Sequence, residues 1–256
     1  MSFPHFSDKH KFSGILKAED MISLRGKDVK DELRSATGAI LCFQSPILKY
    51  LSRQFDGKEA RGFSGSVMAL KKTGCRIIAA KTNGLGAPAV AVMLEELATF
   101  GIKSCIAIGV AGAIQDSIAA GDMIIPTEAI RDEGTSYHYI SDSDPACPSN
   151  EFLNRLTTVL TKRNISYLSG KIWTTDAPYR ETAEEIARYQ NDGTLAVDME
   201  TSAVLSVCSF LEIHAVCGLV AADSLAGRTW HPCNDNGKVN SSLQQLADAA
   251  VETLKL

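Results

Sequence analysis

Glu200 and Asp223 are the two acids whose placement most suggests chemistry. Glu200 closes Val197-Asp198-Met199-Glu200, which follows the apolar run Leu195-Ala196-Val197 and opens a helical pattern through Val204, Leu205, Val207 and Cys208. Asp223 ends a second apolar run, Ala215 to Ala222. Both acids are expected just past the carboxyl ends of neighbouring core strands, where open α/β sheets put their sites. A carboxylate can hold vicinal hydroxyls. A carboxyl group whose pKa is raised by burial can hand a proton to a leaving group. The layout points to chemistry on a sugar that bears a leaving group.

Other segments carry weaker signals. Glycines cluster at Gly84-Leu85-Gly86 and at Gly109-Val110-Ala111-Gly112, each after a predicted strand. They read either as tight strand-to-helix turns or as a backbone cradle for an anion. Neither has the GxGxxG pattern, followed by an acid about 20 residues later, that a dinucleotide site needs. Thr174-Thr175-Asp176-Ala177-Pro178-Tyr179-Arg180 is either a pocket wall or a turn capped by Asp176. Arg131 to Tyr139 is dense in hydrogen-bonding groups and reads by default as a solvated loop. His214, between apolar residues, reads as a core histidine, and Trp230-His231 as a weak lid candidate.

The elements that must position these groups alternate along the chain. Strands are predicted at 39–43, 63–70, 76–82, 104–108, 122–126, 166–173, 195–197 and 215–222, with 63–82 as a hairpin. Helices are predicted at 47–55, from Gly84 to Phe100, around Phe152 to Leu160, at 184–190, after Glu200, and from about Ser241. Residues 1–35 read as irregular with one short helix, and 226–240 as a polar loop. The pattern predicts one α/β domain over residues 1–256, a central mixed sheet flanked by helices.

Composition narrows the classes. With 256 residues and 45% hydrophobic content the chain can bury a large core. The net charge of −4, with no basic stripe, argues against a nucleic-acid partner. No run is long enough to span a membrane, and the first residues lack the apolar stretch of a signal peptide. Of seven cysteines, no two have metal-ligand spacing, and Cys42, Cys105, Cys208 and Cys217 lie in apolar runs. The expectation is a cytoplasmic protein with no metal and no cofactor.

These motifs resemble the nucleoside phosphorylase family, which includes the hexameric bacterial purine nucleoside phosphorylases, the uridine phosphorylases and the methylthioadenosine/adenosylhomocysteine nucleosidases. The anchors are Val197-Asp198-Met199-Glu200 followed by Asp223, Ile108 to Ala113, Gly121-Asp122, and Trp173 to Thr182. The resemblance implies that Glu200 binds the ribose 2′- and 3′-hydroxyls, that Met199 packs on the sugar, and that Asp223 protonates N7 of a purine. It also implies substrate contacts at Gly109, Gly112, Pro178 and Tyr179. His5 would reach a neighbouring subunit's ribose pocket, making a homodimer or a trimer of dimers. Uridine phosphorylases use a glutamine-arginine pair where this chain has Tyr179-Arg180-Glu181, so a purine ribonucleoside is the expected substrate.

The phosphate ligands of the family are replaced. A Gly-Asp-Pro-x-Arg loop becomes Gln44-Ser45-Pro46-Ile47-Leu48, and an arginine and a hydroxyl become Ala107 and Val110. Gln44, Arg61 and Gly84 are the candidates left for a phosphate or water site, with Lys58 and Lys49 as further cations. The expected activity is N-glycosidic cleavage by a phosphorylase. The alternatives are a nucleosidase using water, or a non-catalytic nucleoside-binding or storage protein.

Overall fold

The computed structural model describes residues 4, 6, 8–25, 33–227 and 229–255. Ten strands form one mixed sheet in the order β10-β9-β6-β7-β8-β5-β1-β4-β3-β2, with β9 also paired to β5. They are β1 (Gly38–Cys42), β2 (Gly57–Ala60), β3 (Gly65–Leu70), β4 (Ile77–Thr82), β5 (Ser104–Ala113), β6 (Met123–Asp132), β7 (Leu168–Thr175), β8 (Ala196–Asp198), β9 (His214–Ser224) and β10 (His231–Pro232). The β9–β5 pairing closes β5, β8, β7, β6 and β9 into a ring, and β1, β4, β3 and β2 continue the sheet outward from β5. The expected mixed α/β architecture is present, and the predicted 63–82 hairpin is the antiparallel pair β3–β4.

Seven helices are described: α1 (Ala18–Arg25), α2 (Ser45–Gln54), α3 (Gly86–Ala98), α4 (Asn150–Lys162), α5 (Ala183–Asn191), α6 (Thr201–Phe210) and α7 (Asn236–Lys255). Strand periodicity of two sorts them onto the two faces. Ala39 and Leu41 of β1, with Cys105 and Ala107 of β5, pack with Val90 and Leu94 of α3 and with Val204 and Val207 of α6. The alternate residues Ile40, Cys42, Ile106 and Ile108 face Leu51 of α2, Leu156 of α4 and Leu246 of α7. All four cysteines expected in the core are buried.

Several expectations need correction. Gly109 to Gly112 is not a turn after a strand, because β5 runs on to Ala113. A Cβ at Gly109 would lie 2.6 Å from the Phe43 ring, so glycine there serves close packing. Asp223 lies inside β9, and β8 and β9 flank β5 rather than each other. The loop 226–240 contains β10, and α7 starts at Asn236, five residues early. His214 is exposed, stacked on Phe152 with Nδ1 3.2 Å from Ser149 Oγ. Arg131 to Tyr139 is not solvated loop. Glu133 is buried there and accepts the N–H groups of Thr135 and Ser136 and the Ser202 hydroxyl.

Candidate active site

A cavity of about 790 Å³ opens where β5, β8 and β9 meet the starts of α5 and α6. Its floor is β5. Gly112 pairs with Val197 of β8 on one side and with Asp223 of β9 on the other. The β5–β9 register shifts here, so that Ala111 faces Ala221 and Gly112 faces Asp223, with Ala222 as the extra residue. Bulges of this kind re-aim side chains beside active sites. A Cβ on residue 112 would lie 2.8 Å from Leu225 Cδ1 and 3.1 Å from Asp223 Oδ1. Glycine is what lets the acid stand there.

Glu200 is placed by the turn between β8 and α6. Asp198 builds that turn: its Oδ1 accepts the Thr174 hydroxyl at 2.7 Å, and its Oδ2 accepts the N–H and hydroxyl of Thr201 at 2.9 and 2.6 Å. Glu200 then stands at the N-cap position of α6. Its Oε1 accepts the Gly86 N–H at 2.8 Å. Gly86 has φ of +79°, a conformation that favours glycine, at the first turn of α3. Burial, reinforced by the charge of Asp198, pushes the Glu200 carboxyl from an ordinary 4.5 up to about 7. Burial also raises Asp198, opposed by its bonds to Thr201 and Thr174.

Asp223 is half-buried, and its Oδ2 accepts the Trp230 indole N–H at 2.7 Å. Facing the same cavity is Glu181, which sequence reasoning passed over. It immediately precedes Thr182, whose side chain and Glu185 form the capping box that starts α5. Burial first, then the charge of Asp223, raises the Glu181 carboxyl to about 7. No described residue gives that carboxyl a hydrogen bond or ion pair. The only sequence signal was negative, an acid just outside a helix start with no structural task.

The cavity gathers Met199, Glu200, Gly112, Pro178, Tyr179, Gln44 and Asp223 from the candidates. Gly109, Gly84 and Arg61 are not among its described lining residues. Arg61 is exposed and paired with Glu59 at 3.3 Å, while the Gly84 carbonyl accepts the Thr82 hydroxyl. Asp176 accepts the Gly134 N–H at 2.8 Å and ties its loop to the 131–139 segment. His5 lies outside the described residues. Four carboxyl groups line the cavity (Glu181, Asp198, Glu200 and Asp223), and no lysine, arginine or histidine does so among the described residues. Leu48 and Ala107 are buried in the core, Val110 lines the cavity, and Gln44 Oε1 is buried without a hydrogen-bond partner. Among the described residues, no three His, Cys, Asp or Glu side chains stand close enough together to hold a metal ion.

The sequence model of the Phosphorylase superfamily matches residues 39–255. A guanosine phosphorylase from Halorubrum lacusprofundi is 32% identical over 126 residues, about half of each chain at 49% of this one and 52% of that one. A DeoD-type purine nucleoside phosphorylase from Brevibacillus brevis is 29% identical over 79% of this chain and 88% of its own. The crystal structure of a uridine phosphorylase from Vibrio fischeri ES114 superposes with a TM-score of 0.77 at 28% identity, covering 95% of this chain and 99% of that one. An AMP nucleosidase from Bacteroides thetaiotaomicron shares the fold, with a TM-score of 0.68 at 21% identity over 85% of this chain and 87% of its own.

Proposed function

Because the chain belongs to the Phosphorylase superfamily, we propose that it cleaves the N-glycosidic bond of a purine ribonucleoside, with Asp223 as the acid toward the base and Glu200 as the ribose ligand. The observation that carries this reading is the meeting of both acids on one cavity, brought there by the pairing of Gly112 with Asp223 and by the β8–α6 turn. As the C1′–N9 bond breaks, its electron pair goes to the base and N7 takes a proton from Asp223. An oxygen nucleophile bonds to C1′, which carries oxocarbenium character. Glu200 uses Oε1 for Gly86, so Oε2 is left for the ribose hydroxyls. Glu181, half-buried and without a partner among the described residues, suits a base edge that carries N–H donors, because a buried carboxyl without a partner is costly. This supports a purine over a pyrimidine whose reading would need an amide and a guanidinium.

A hydrolytic second reading rests on the cavity's charge. A phosphate dianion wants charge-assisted donors, and the described lining offers carboxyl groups instead. Water needs no cation, and the orphan Gln44 Oε1 is an acceptor for one. Phosphorolysis would need cations from outside the described lining, and a second copy of the chain is the source we favour. A homodimer or trimer of dimers, with His5 crossing between subunits, is the assembly we favour. The exposed Phe12, Ile15, Leu16 and Leu24 near the N-terminus support it.

Product analysis over a panel of nucleosides, with and without phosphate, tests the reading. Free base with ribose 1-phosphate means phosphorolysis, and free base with ribose means hydrolysis. Binding without turnover would leave a nucleoside-binding protein and overturn the enzyme reading.

A further inference from the structure

Trp230 does more than edge the cavity. Its loop is fastened to β9, since His231 pairs with Ser224 and Pro232 with Asp223. The Thr229 hydroxyl, 2.9 Å from His231 Nε2, steadies the turn. The indole lines the cavity yet is 62% exposed, so the ring stands at the mouth while its N–H reaches inward to Asp223 Oδ2 at 2.7 Å.

An indole N–H can only donate. The oxygen it meets accepts, and the carbonyl oxygen of a protonated carboxyl is a better acceptor than its hydroxyl, so the bond favours a proton of Asp223 on the other oxygen, Oδ1. That oxygen lies beside Gly112, where even a methyl group would come within 3.1 Å of it. The geometry points to Trp230 as the positioning residue that assigns the transferable proton of Asp223 to Oδ1. The inference rests on the proposed role of Asp223 as the acid toward the base. Without the indole N–H, either oxygen can carry the proton, and the carboxylate left after transfer loses a donor, so the proton reaches N7 less often and at greater cost.

The test compares two substrates. Guanosine needs a proton at N7 as its base leaves. N7-methylguanosine does not, because N7 is already alkylated and its base departs without protonation there. Trp230→Phe keeps an aromatic ring and removes the donor. The expected result is a fall of about ten- to a hundredfold in kcat for guanosine, because the bond becomes charge-assisted as Asp223 gives up its proton. KM and the rate on N7-methylguanosine should stay within about threefold. The buried Trp173 remains as a reporter that the fold is intact. Equal loss on both substrates, or loss on neither, overturns the role of Trp230. Asp223→Asn, run in parallel, separates the two readings. If it discriminates between the substrates and Trp230→Phe does not, only the Trp230 inference fails. If it does not discriminate, the acid role of Asp223 fails and takes the inference with it.

Discussion

Glu200 Oε1 accepts the backbone N–H of Gly86 at 2.8 Å, joining residues 114 positions apart. That bond locks the start of α6 to the start of α3 and leaves one carboxyl oxygen for a ligand. Glu200→Gln keeps an acceptor for Gly86 or for a hydroxyl, and loses the charge and one acceptor site. Ribonucleoside binding should weaken by about ten- to a hundredfold, while binding of the free base stays unchanged. Calorimetry with a nucleoside and its base measures both. Equal weakening would place Glu200 away from the sugar.

Glu181 makes a prediction about pH. Its carboxyl has an ordinary value of 4.5 and stands at about 7 in the folded chain, so folding favours its protonated form. The fold therefore carries no penalty from this group below 4.5, gains one as pH rises through that value, and carries all of it above about 7. Glu181→Gln removes the penalty. The variant should melt higher than the parent at pH 8, with the gap closing as pH falls toward 4.5. A gap that is constant or widens in acid would show that the carboxyl is not held protonated.

Asp198 is buried and accepts three hydrogen bonds at the β8–α6 turn. Asp198→Asn keeps one oxygen and sets an amide against donors. It should cost about 1–3 kcal/mol of stability by denaturant unfolding. Nucleoside binding should fall as well, because Glu200 follows that turn. Unchanged stability would mean that the turn is held by the packing of α6 alone.

Inorganic phosphate should bind poorly. Leu48, Ala107 and Val110 stand where relatives are expected to offer two guanidinium groups and a hydroxyl, and each lost charge-assisted bond is worth about 1.5–3 kcal/mol. Titrating phosphate into a nucleoside assay checks this. Saturation at sub-millimolar phosphate, with ribose 1-phosphate as product, would show that other donors rebuild the site.

The strand cores at 39–43, 104–108 and 215–222 were legible because apolar runs with turn signals survive without tertiary context. Glu200 was legible at the turn after β8, whereas Asp223 was expected past the end of its strand and lies inside β9, across β5 from β8. The extension of β5 through Gly109 to Ala113 was not. Its glycines are there for the Phe43 ring and for Asp223 and Leu225, neighbours that only the folded chain supplies. β2 was invisible because Gly57-Lys58-Glu59-Ala60 is a polar edge with no apolar alternation. Glu181 was named only as part of Tyr179-Arg180-Glu181, and its closeness to Asp223 arises only when the segment before α5 reaches the cavity. The early start of α7 was hidden by a polar first turn.

The central claim is tested most directly by Asp223→Asn. Release of free base from a purine ribonucleoside is followed beside nucleoside affinity, in the parent and in the variant. The account predicts release by the parent, a loss of ~10²–10⁴-fold in the variant, and nearly unchanged binding. Parent-like release by the variant would contradict it.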